Sequence, residues 1–421
     1  MSAVPPAASR RRHVVVAFTA AAMFLAYTDR VNLAVAAVAM REQLHWSQSV
    51  KGLVLAGFFI GYFLFQVASG SLAQRFGGKR VLGLAVLWWS LFTLLTPPAA
   101  RLSVAALIAA RIGLGLGEAA VVPASYELFS RWVPLAERAR SLAVFLGGIP
   151  LGQIVGLVAT AYFTARLGWP MSFYVFGALG LLWAAAFARG VRNSPAADRD
   201  VSVAERALLP APVSGTAAPM PWRVLLGSPL VLSFIAAHFC HNWALYVLVS
   251  WLPSYFHEHL GLSMQQSGWY SALPWLANFL ALQVGGGAAD AAVARGAGPI
   301  GVRRALAATG LGAAALCLLS LPGAGSAHIA LAIACATAGS IGLAAAGFTA
   351  VPLDITPRHA PMLIGLSNTL ATIPGIVAVA LTGWQLDVTH NYASTFVMSA
   401  AVAGAGALLL AASARARVPE L

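Results

Sequence analysis

The sequence predicts an all-α integral membrane protein of twelve transmembrane helices, arranged as two groups of six with both termini on the inner side. Three observations predict it. Hydrophobic residues make up 59% of the 421 positions and charged residues only 9%, with a mean hydropathy of +0.79, whereas a soluble domain carries about 25% charged residues. Apolar runs of roughly 20 residues, the length that crosses a bilayer core, recur along the whole chain. The basic residues fall in short bursts between these runs, favouring one side. The net charge of +13 therefore reads as topology. Nucleic-acid binding would need the basic residues gathered on one solvated face, whereas here they are spread in short bursts between apolar runs.

Taken in order, the first six runs cover approximately 14–40, 49–73, 80–97, 103–130, 139–165 and 169–189. Arg10, Arg11 and Arg12 before the first run resemble the start of a signal peptide, and Ala34-Val35-Ala36 resembles a cleavage site. The run is longer than a signal core and is interrupted by Asp29 and Arg30, so an uncleaved first span is expected. From Gly190 to Trp222 the chain is rich in Pro, Ala and charge and reads as a cytoplasmic linker. Six more runs follow at about 228–256, 267–293, 301–321, 326–353, 360–386 and 392–414. The expected division is a six-helix bundle over 1–189, a linker over 190–222 and a second bundle over 223–421.

Orientation follows from the basic residues. With both ends inside, the inner segments carry twenty of them, from the Arg10-Arg11-Arg12 cluster to Arg417, and the outer segments only Arg41, Lys51, Arg101 and Arg166. The remaining two, Arg30 and Arg111, lie within apolar runs. Cys240, Cys317 and Cys335 form neither a disulfide framework nor a metal spacing. His238 and His241 share a helix face, but a metal pair would need further ligands that the sequence does not offer. No cofactor is expected.

The two halves echo one another. The loop after the second run holds Gly70, Leu72, Ala73, Arg75, Gly77, Lys79 and Arg80, and the loop after the eighth holds Gly286, Asp290, Arg295, Arg303 and Arg304 in a looser version. Trp169 with Phe173 before the sixth run is matched by Tyr392 with Phe396 before the twelfth. Six plus six spans, a basic linker and the first of these loops resemble the major facilitator superfamily. The loop departs from the family pattern at Gln74, where an acid is usual, which leaves Asp290 as the version that keeps a carboxylate.

Within that superfamily the resemblance narrows to the anion:cation symporters, which include bacterial sugar-acid/proton symporters, plastid phosphate-type anion transporters and vesicular or lysosomal organic-anion carriers. It is carried by Asp29-Arg30-Val31-Asn32-Leu33, by Gly61-Tyr62 with Gln66 and Gly70, and by Arg111 through Glu118 to Pro123 with Trp132, Pro134, Glu137 and Arg138. His241-Asn242-Trp243 leading to Trp251-Leu252-Pro253-Ser254 adds to it, as does Pro357-Arg358-His359-Ala360 with Gly365, Ser367, Asn368 and Thr369. The resemblance implies a secondary transporter with a central cavity, working by alternating access.

The charges inside the runs point to the chemistry. Ionisable groups at membrane depth are costly unless they are paired or line a polar path. Asp29 and Arg30 are adjacent and so diverge by about 100° around a helix. Arg111 and Glu118 are seven apart, on one face and about 10 Å apart along the axis, with Gly113, Gly115 and Gly117 between them for close approach. With both acids ionised the four-charge set is neutral, and one added proton turns it into an anion site. Arginine cannot give up its proton and grips a carboxylate or phosphate with two hydrogen bonds.

In the resembling sugar-acid symporters the acids matching Asp29 and Glu118 handle the proton and the arginines matching Arg30 and Arg111 meet the substrate. The same positions also fit a fixed structural ion-pair network. Tyr62 and Gln66, four apart, and Tyr27, one turn before Arg30, suit either substrate or interhelical hydrogen bonds. His241 stands where vesicular glutamate carriers have an arginine. Asn278 and, more closely matching the family, Asn368 are candidate contacts from the second half.

The expected activity is proton-coupled symport of a small organic anion, such as a sugar acid or other carboxylate, or of phosphate. Export of a drug-like or metabolic compound and sodium-coupled anion transport are the alternatives. The expected partners are an anionic solute, protons or sodium, and the lipid bilayer, with no nucleic acid, and the chain is expected to be a monomer. No Walker motif or Ser/His/Asp set is present, so an enzyme is not expected. The expected location is a multi-pass protein of the cell inner (plasma) membrane.

Overall fold

The computed structural model describes residues 10–134, 137–209, 222–356 and 360–413. Every regular element among the described residues is helical, and twelve helical segments are long and apolar enough to cross a membrane. Spans 1 to 6 are Arg11–Leu44, Gln48–Phe76, Gly78–Leu102, Val104–Trp132, Arg140–Leu167 and Pro170–Gly190. Spans 7 to 12 are Pro229–His259, Met264–Ala294, Pro299–Gly323, Ala327–Ile355, Met362–Thr389 and Ala393–Ala412. The expected runs are all present. The widest difference is at span 3, expected to stop at 97, which continues through Pro97 and Pro98 to Leu102.

Local chemistry sets several of the ends. Ser103, Ser263 and Ser326 cap spans 4, 8 and 10, each hydroxyl accepting a hydrogen bond from the backbone N–H three residues on, which satisfies one of the unpaired donors of a helix start. Gly77, with φ +84°, turns the chain between spans 2 and 3 in a conformation that disfavours a side chain.

Two spans are interrupted near the middle, and proline accounts for both. Span 4 is a helix Val104–Glu118 followed, after Ala119 and Ala120, by a helix Val121–Trp132. Pro123 offers no N–H to the Ala119 carbonyl, which instead accepts from Ser69 Oγ at 3.1 Å. Span 11 is interrupted at Ala371 and Thr372, ahead of Pro374. There the Gly375 N–H donates to the Thr372 carbonyl, one residue short of its helical partner, and the Ala371 carbonyl accepts from Asn242 Nδ2 at 2.7 Å. Buried carbonyls left unmet would each cost about 1–3 kcal/mol.

The chain divides into two compact units. The first comprises Met1–Asn32, Ile60–Gly156 and Pro170–Ala217, and the second Leu33–Phe59, Leu157–Trp169 and Ala218–Leu421. The outer ends of spans 1, 2 and 5 thus belong to the second unit.

In the first unit, small residues let the spans come close. A side chain at Gly61 would meet the Ile112 carbonyl at 2.0 Å, and one at Gly152 the Phe24 carbonyl at 2.4 Å, so glycine is what allows spans 2 and 5 to lie against spans 4 and 1. The beginning of the expected linker is bound down. Arg11 pairs with Asp198 at 2.9 Å, and Arg12 pairs with Glu137 at 2.8 Å and Glu205 at 3.0 Å, while Asp198 and Glu205 are buried. The Arg12 guanidinium holds the Glu137 carboxyl below the usual carboxylate range. Glu127 accepts from the Gly78 N–H and pairs with Arg131, so a carboxylate from span 4 meets the start of span 3.

In the second unit, Asp290 pairs with Arg303 at 3.1 Å, and Arg303 reaches Asp354 at 3.4 Å. Leu230, Val231, Phe234, Ala307, Leu311, Ala344 and Leu410 build its main apolar core from spans 7, 9, 10 and 12. Lys51, expected in an outer segment, is instead fully buried inside span 2. Its ammonium donates to Glu258 at 2.7 Å and Ser254 at 3.0 Å and lies 4.7 Å from the Trp251 ring. Asp387 caps the start of the same span, accepting from the backbone N–H groups of Gln48 and Ser49 at 2.8 Å each.

Candidate functional site

Seven of the nine expected site residues lie together in the first unit. Span 1 supplies Tyr27, Asp29 and Arg30, span 2 supplies Tyr62 and Gln66, and span 4 supplies Arg111 and Glu118. Asp29, Arg111 and Glu118 are 3%, 2% and 1% exposed, so the membrane core contains a real concentration of charge and not a set of surface ion pairs.

The adjacent Asp29 and Arg30 point apart, as the helical repeat requires. Arg30 Nη2 meets Glu118 Oε2 at 3.2 Å. Its guanidinium lies 4.4 Å from the Tyr27 ring and 5.0 Å from the Tyr62 ring, a cation held against two aromatic faces. Asp29 turns toward span 3, beside Trp89 and Thr93, and lies within electrostatic reach of Arg111 and Glu118. Arg111 in turn interacts with both carboxylates and with Arg30.

Two acid oxygens, Asp29 Oδ1 and Glu118 Oε1, are buried with no hydrogen-bond partner among the described residues. A buried carboxylate oxygen without a donor is costly, and either a proton or a donor brought in from outside would relieve it. Glu118 is also the last residue of its helix, where the carbonyl ends already carry negative potential. The position favours a nearby cation or a neutral carboxyl over an isolated anion.

Gly113 and Gly117 do not open a path for a ligand. Side chains there would meet Phe92 and Trp88 of span 3 at 2.4 and 2.9 Å, so these glycines serve helix packing. A groove of about 750 Å³ does lie along spans 3 and 4, lined by Trp88, Phe92, Leu95, Ala109, Ile112 and Leu116 among others. It is apolar and has no ionisable group in its lining, which suits lipid better than an anion.

The other two expected residues are in the second unit. His241 is 5% exposed and has both ring nitrogens engaged, Nδ1 with Asn242 Oδ1 at 2.9 Å and Nε2 with the Ile341 carbonyl at 3.1 Å. Asn368 is half-buried on span 11, next to Ser367, whose Oγ meets His238 Nδ1 at 2.8 Å. Asn278 is committed to packing, its Nδ2 donating to the Ala338 carbonyl at 2.8 Å. The Pro357-Arg358-His359 part of the span 11 motif lies outside the described residues.

Sequence reasoning gave no role to Ser69, Asn242, Trp89 or Thr93. Asn242 stood inside a quoted motif, but its role depends on a carbonyl 129 residues away. No group of three or more His, Cys, Asp or Glu arranged to hold a metal exists among the described residues.

With this geometry in hand, comparison with known proteins is specific. The family model described as Major Facilitator Superfamily matches residues 19–379. The chain is 37% identical over 383 residues to "Probable anion transporter 4, chloroplastic" of Oryza sativa subsp. japonica, covering 90% of this chain and 64% of that one. It is 36% identical over 380 residues to "Sodium-dependent phosphate transport protein 1, chloroplastic" of Arabidopsis thaliana, covering 90% and 74%. It is 31% identical over 385 residues to "Sialin" of Ovis aries, covering 90% and 78%. The chain thus spans a little under two thirds of the length of the rice relative.

Among solved structures, the D-xylose-proton symporter superposes with a TM-score of 0.75 at 15% identity, over 94% of this chain and 97% of that one, a likeness of fold.

These relatives correct one expectation. The cell inner (plasma) membrane is overturned by the chloroplastic names of the rice and Arabidopsis proteins, and what stands is a multi-pass membrane protein. The basic-residue asymmetry orders the two sides of a membrane and is blind to which membrane it is. Twelve helical spans and a family match over most of the chain make one conclusion plain: the protein belongs to the Major Facilitator Superfamily, a family of transporters and not of enzymes, and the relatives that share its sequence over nine tenths of its length are named as anion transporters.

Proposed function

We propose that the protein carries a small organic anion or phosphate together with protons, by alternating access, and that the buried cluster of the first unit is where the two meet. The observation that carries this reading is the Arg30–Glu118 pair at 3.2 Å, buried beside Arg111 and Asp29. Two cations and two acids cancel. A proton on Glu118 removes the counter-charge of Arg30, and the guanidinium then has a donor pair to offer a carboxylate or phosphate.

Arg111 supplies the second cationic contact, and Tyr27, Tyr62 and Gln66 supply neutral donors around Arg30. Asp29, beside Trp89 and Thr93, is the second proton-handling group. The anion's own charge then replaces the one the proton removed, so loaded and empty forms both stay close to neutral within the membrane. A site that carried a surplus charge through either half of the cycle would face a large solvation penalty. Movement of the segment 1–189 against the segment 223–421, joined through 190–222, is the proposed transport step.

Sodium coupling is the second reading, favoured by the printed name of the Arabidopsis relative, a sodium-dependent phosphate transport protein. Uptake of radiolabelled phosphate and of a panel of sugar acids into proteoliposomes distinguishes the two. An inward proton gradient without sodium drives accumulation if the first reading holds. Accumulation that survives collapse of the proton gradient, and follows sodium, replaces it with the second.

A further inference from the structure

The hydrogen bonds around His241 do not balance. Its Nδ1 faces Asn242 Oδ1 at 2.9 Å and its Nε2 faces the Ile341 carbonyl at 3.1 Å, and both partners as placed are acceptors. Asn242 is held that way round because its Nδ2 donates to the Ala371 carbonyl at 2.7 Å, with Tyr246 Oη at 3.4 Å.

A neutral imidazole has one N–H and one lone pair. If Nδ1 carries the hydrogen, the Nε2 lone pair faces the Ile341 carbonyl. If Nε2 carries it, the Nδ1 lone pair faces the Asn242 oxygen. Turning the amide over moves the conflict to the Ala371 carbonyl without removing it. Every arrangement of tautomer and amide leaves one pair of acceptors in contact, so the result does not depend on how those hydrogens are assigned. The network from Ile341 to Ala371 is one proton short.

We propose that His241 and Asn242 form a proton-binding site in the second unit, in which one added proton makes the imidazole a double donor to Asn242 Oδ1 and the Ile341 carbonyl. The proton adds to the free ring nitrogen and the site passes from neutral to +1, with no other bond broken. Taking a cation out of water is costly, and two aligned acceptors offset that cost.

The neighbouring His238 behaves differently. Its ring centroid is 6.4 Å from that of His241, and its Nδ1 meets the Ser367 hydroxyl, which can donate or accept, so the neutral ring there is satisfied. Phe348 of span 10 lies 4.9 Å from the His241 ring. The carboxylates on the elements around span 7 are engaged elsewhere, Glu258 with Lys51, Asp290 and Asp354 with Arg303, and Asp387 with Ser49. Span 12 has no ionisable side chain between Ala393 and Ala412. Among the described residues the protonated ring would therefore be a cation without a counter-charge, able to attract an anion in a unit whose described formal charges otherwise lie at the ends of its helices. For that last consequence the proposal rests on the transport reading above. For the proton site itself it does not.

Nitrogen NMR of the full chain in lipid nanodiscs, labelled with ¹⁵N-histidine, reads the site directly. His241→Gln assigns its two ring resonances among the nine histidines, and His241→Arg serves if that variant does not fold. The expected result is a ring with both nitrogens protonated on going from about pH 8 to about pH 5, with the transition shifted to lower pH in Asn242→Ala. A His241 ring that keeps one protonated and one bare nitrogen down to about pH 5 overturns the proposal, and does so whatever the proteoliposome fluxes show.

Discussion

The two compact units hold their buried polar groups in contrasting ways. The first concentrates ionisable groups at mid-membrane, with Arg30, Arg111, Asp29 and Glu118 on spans 1 and 4. The second keeps its formal charges at the helix ends, in Lys51–Glu258 and in Asp290–Arg303–Asp354, and has imidazoles and amides at mid-span, in His238, His241, Asn242 and Asn278. The two units are both helical throughout the described residues and differ in the chemistry they bury. In the proposed reading the first unit offers its arginines to an anion once Glu118 takes a proton, and the second unit meets the solute with neutral groups and imidazoles.

The largest expected effect removes the fixed charge. Arg111→Gln, in protein that remains monodisperse, is expected to weaken anion binding by about 100-fold or more, since a charge-assisted pair of hydrogen bonds is worth about 3 kcal/mol; equilibrium binding of the transported anion measures it. Retention of binding would place selection in the second unit and reverse the comparison. Next, Glu118→Gln imitates the protonated acid. Binding and anion exchange should stay within about threefold of the parent while proton-driven accumulation in proteoliposomes is lost. Equal loss of binding in both variants would make the cluster a fixed scaffold.

The third test concerns the charge at the end of the second unit. Lys51→Ala leaves Glu258 without its ammonium and is expected to cost about 3 kcal/mol of stability, as breaking a buried pair does, seen as a lower melting temperature with anion affinity unchanged. Lys51→Met with Glu258→Gln should recover most of that loss. A large loss of affinity in either variant would show that end charges, too, take part in binding.

The smallest effect belongs to the inner rim. Glu137→Gln should cost no more than about 1 kcal/mol at neutral pH, because the Glu137 side chain is more than a third exposed and the buried Arg12 keeps Glu205 as a second partner. Since Arg12 lowers the Glu137 carboxyl, its contribution is present above the usual carboxylate range and is lost as the pH falls through its lowered value. The difference between variant and parent should vanish in that acid window.

The spans were legible because membrane thickness fixes the length of an apolar helix, and few residues inside one can be charged by accident. Asp29, Arg30, Arg111 and Glu118 stood out for the same reason, and the divergence of Asp29 from Arg30 followed from the helical repeat alone. Lys51 was misread as part of an outer segment because its partner, Glu258, lies 207 residues away and nothing local marks a lysine as buried. The interruption of span 4 was signalled by Pro123, but the donor that meets the carbonyl it leaves at Ala119, the Ser69 hydroxyl 50 residues away, was not. The unbalanced protons at His241 were beyond sequence reasoning, since they arise from two backbone carbonyls on other helices. Long-range polar partners are the part of this molecule that composition and periodicity do not encode.

The interruption after Glu118 also divides span 4 by position in the membrane. Beyond it, Val121–Trp132 is a short stiff rod that carries Glu127, about 13 Å along the axis from Glu118, and Glu127 holds the first N–H of span 3 at Gly78. The Ser69 hydroxyl ties the break itself to span 2 through the Ala119 carbonyl. One short helix thus runs from the break beside the buried Glu118 to the glycine-rich turn at the inner surface, and mid-membrane and edge are joined by about three turns of uninterrupted backbone.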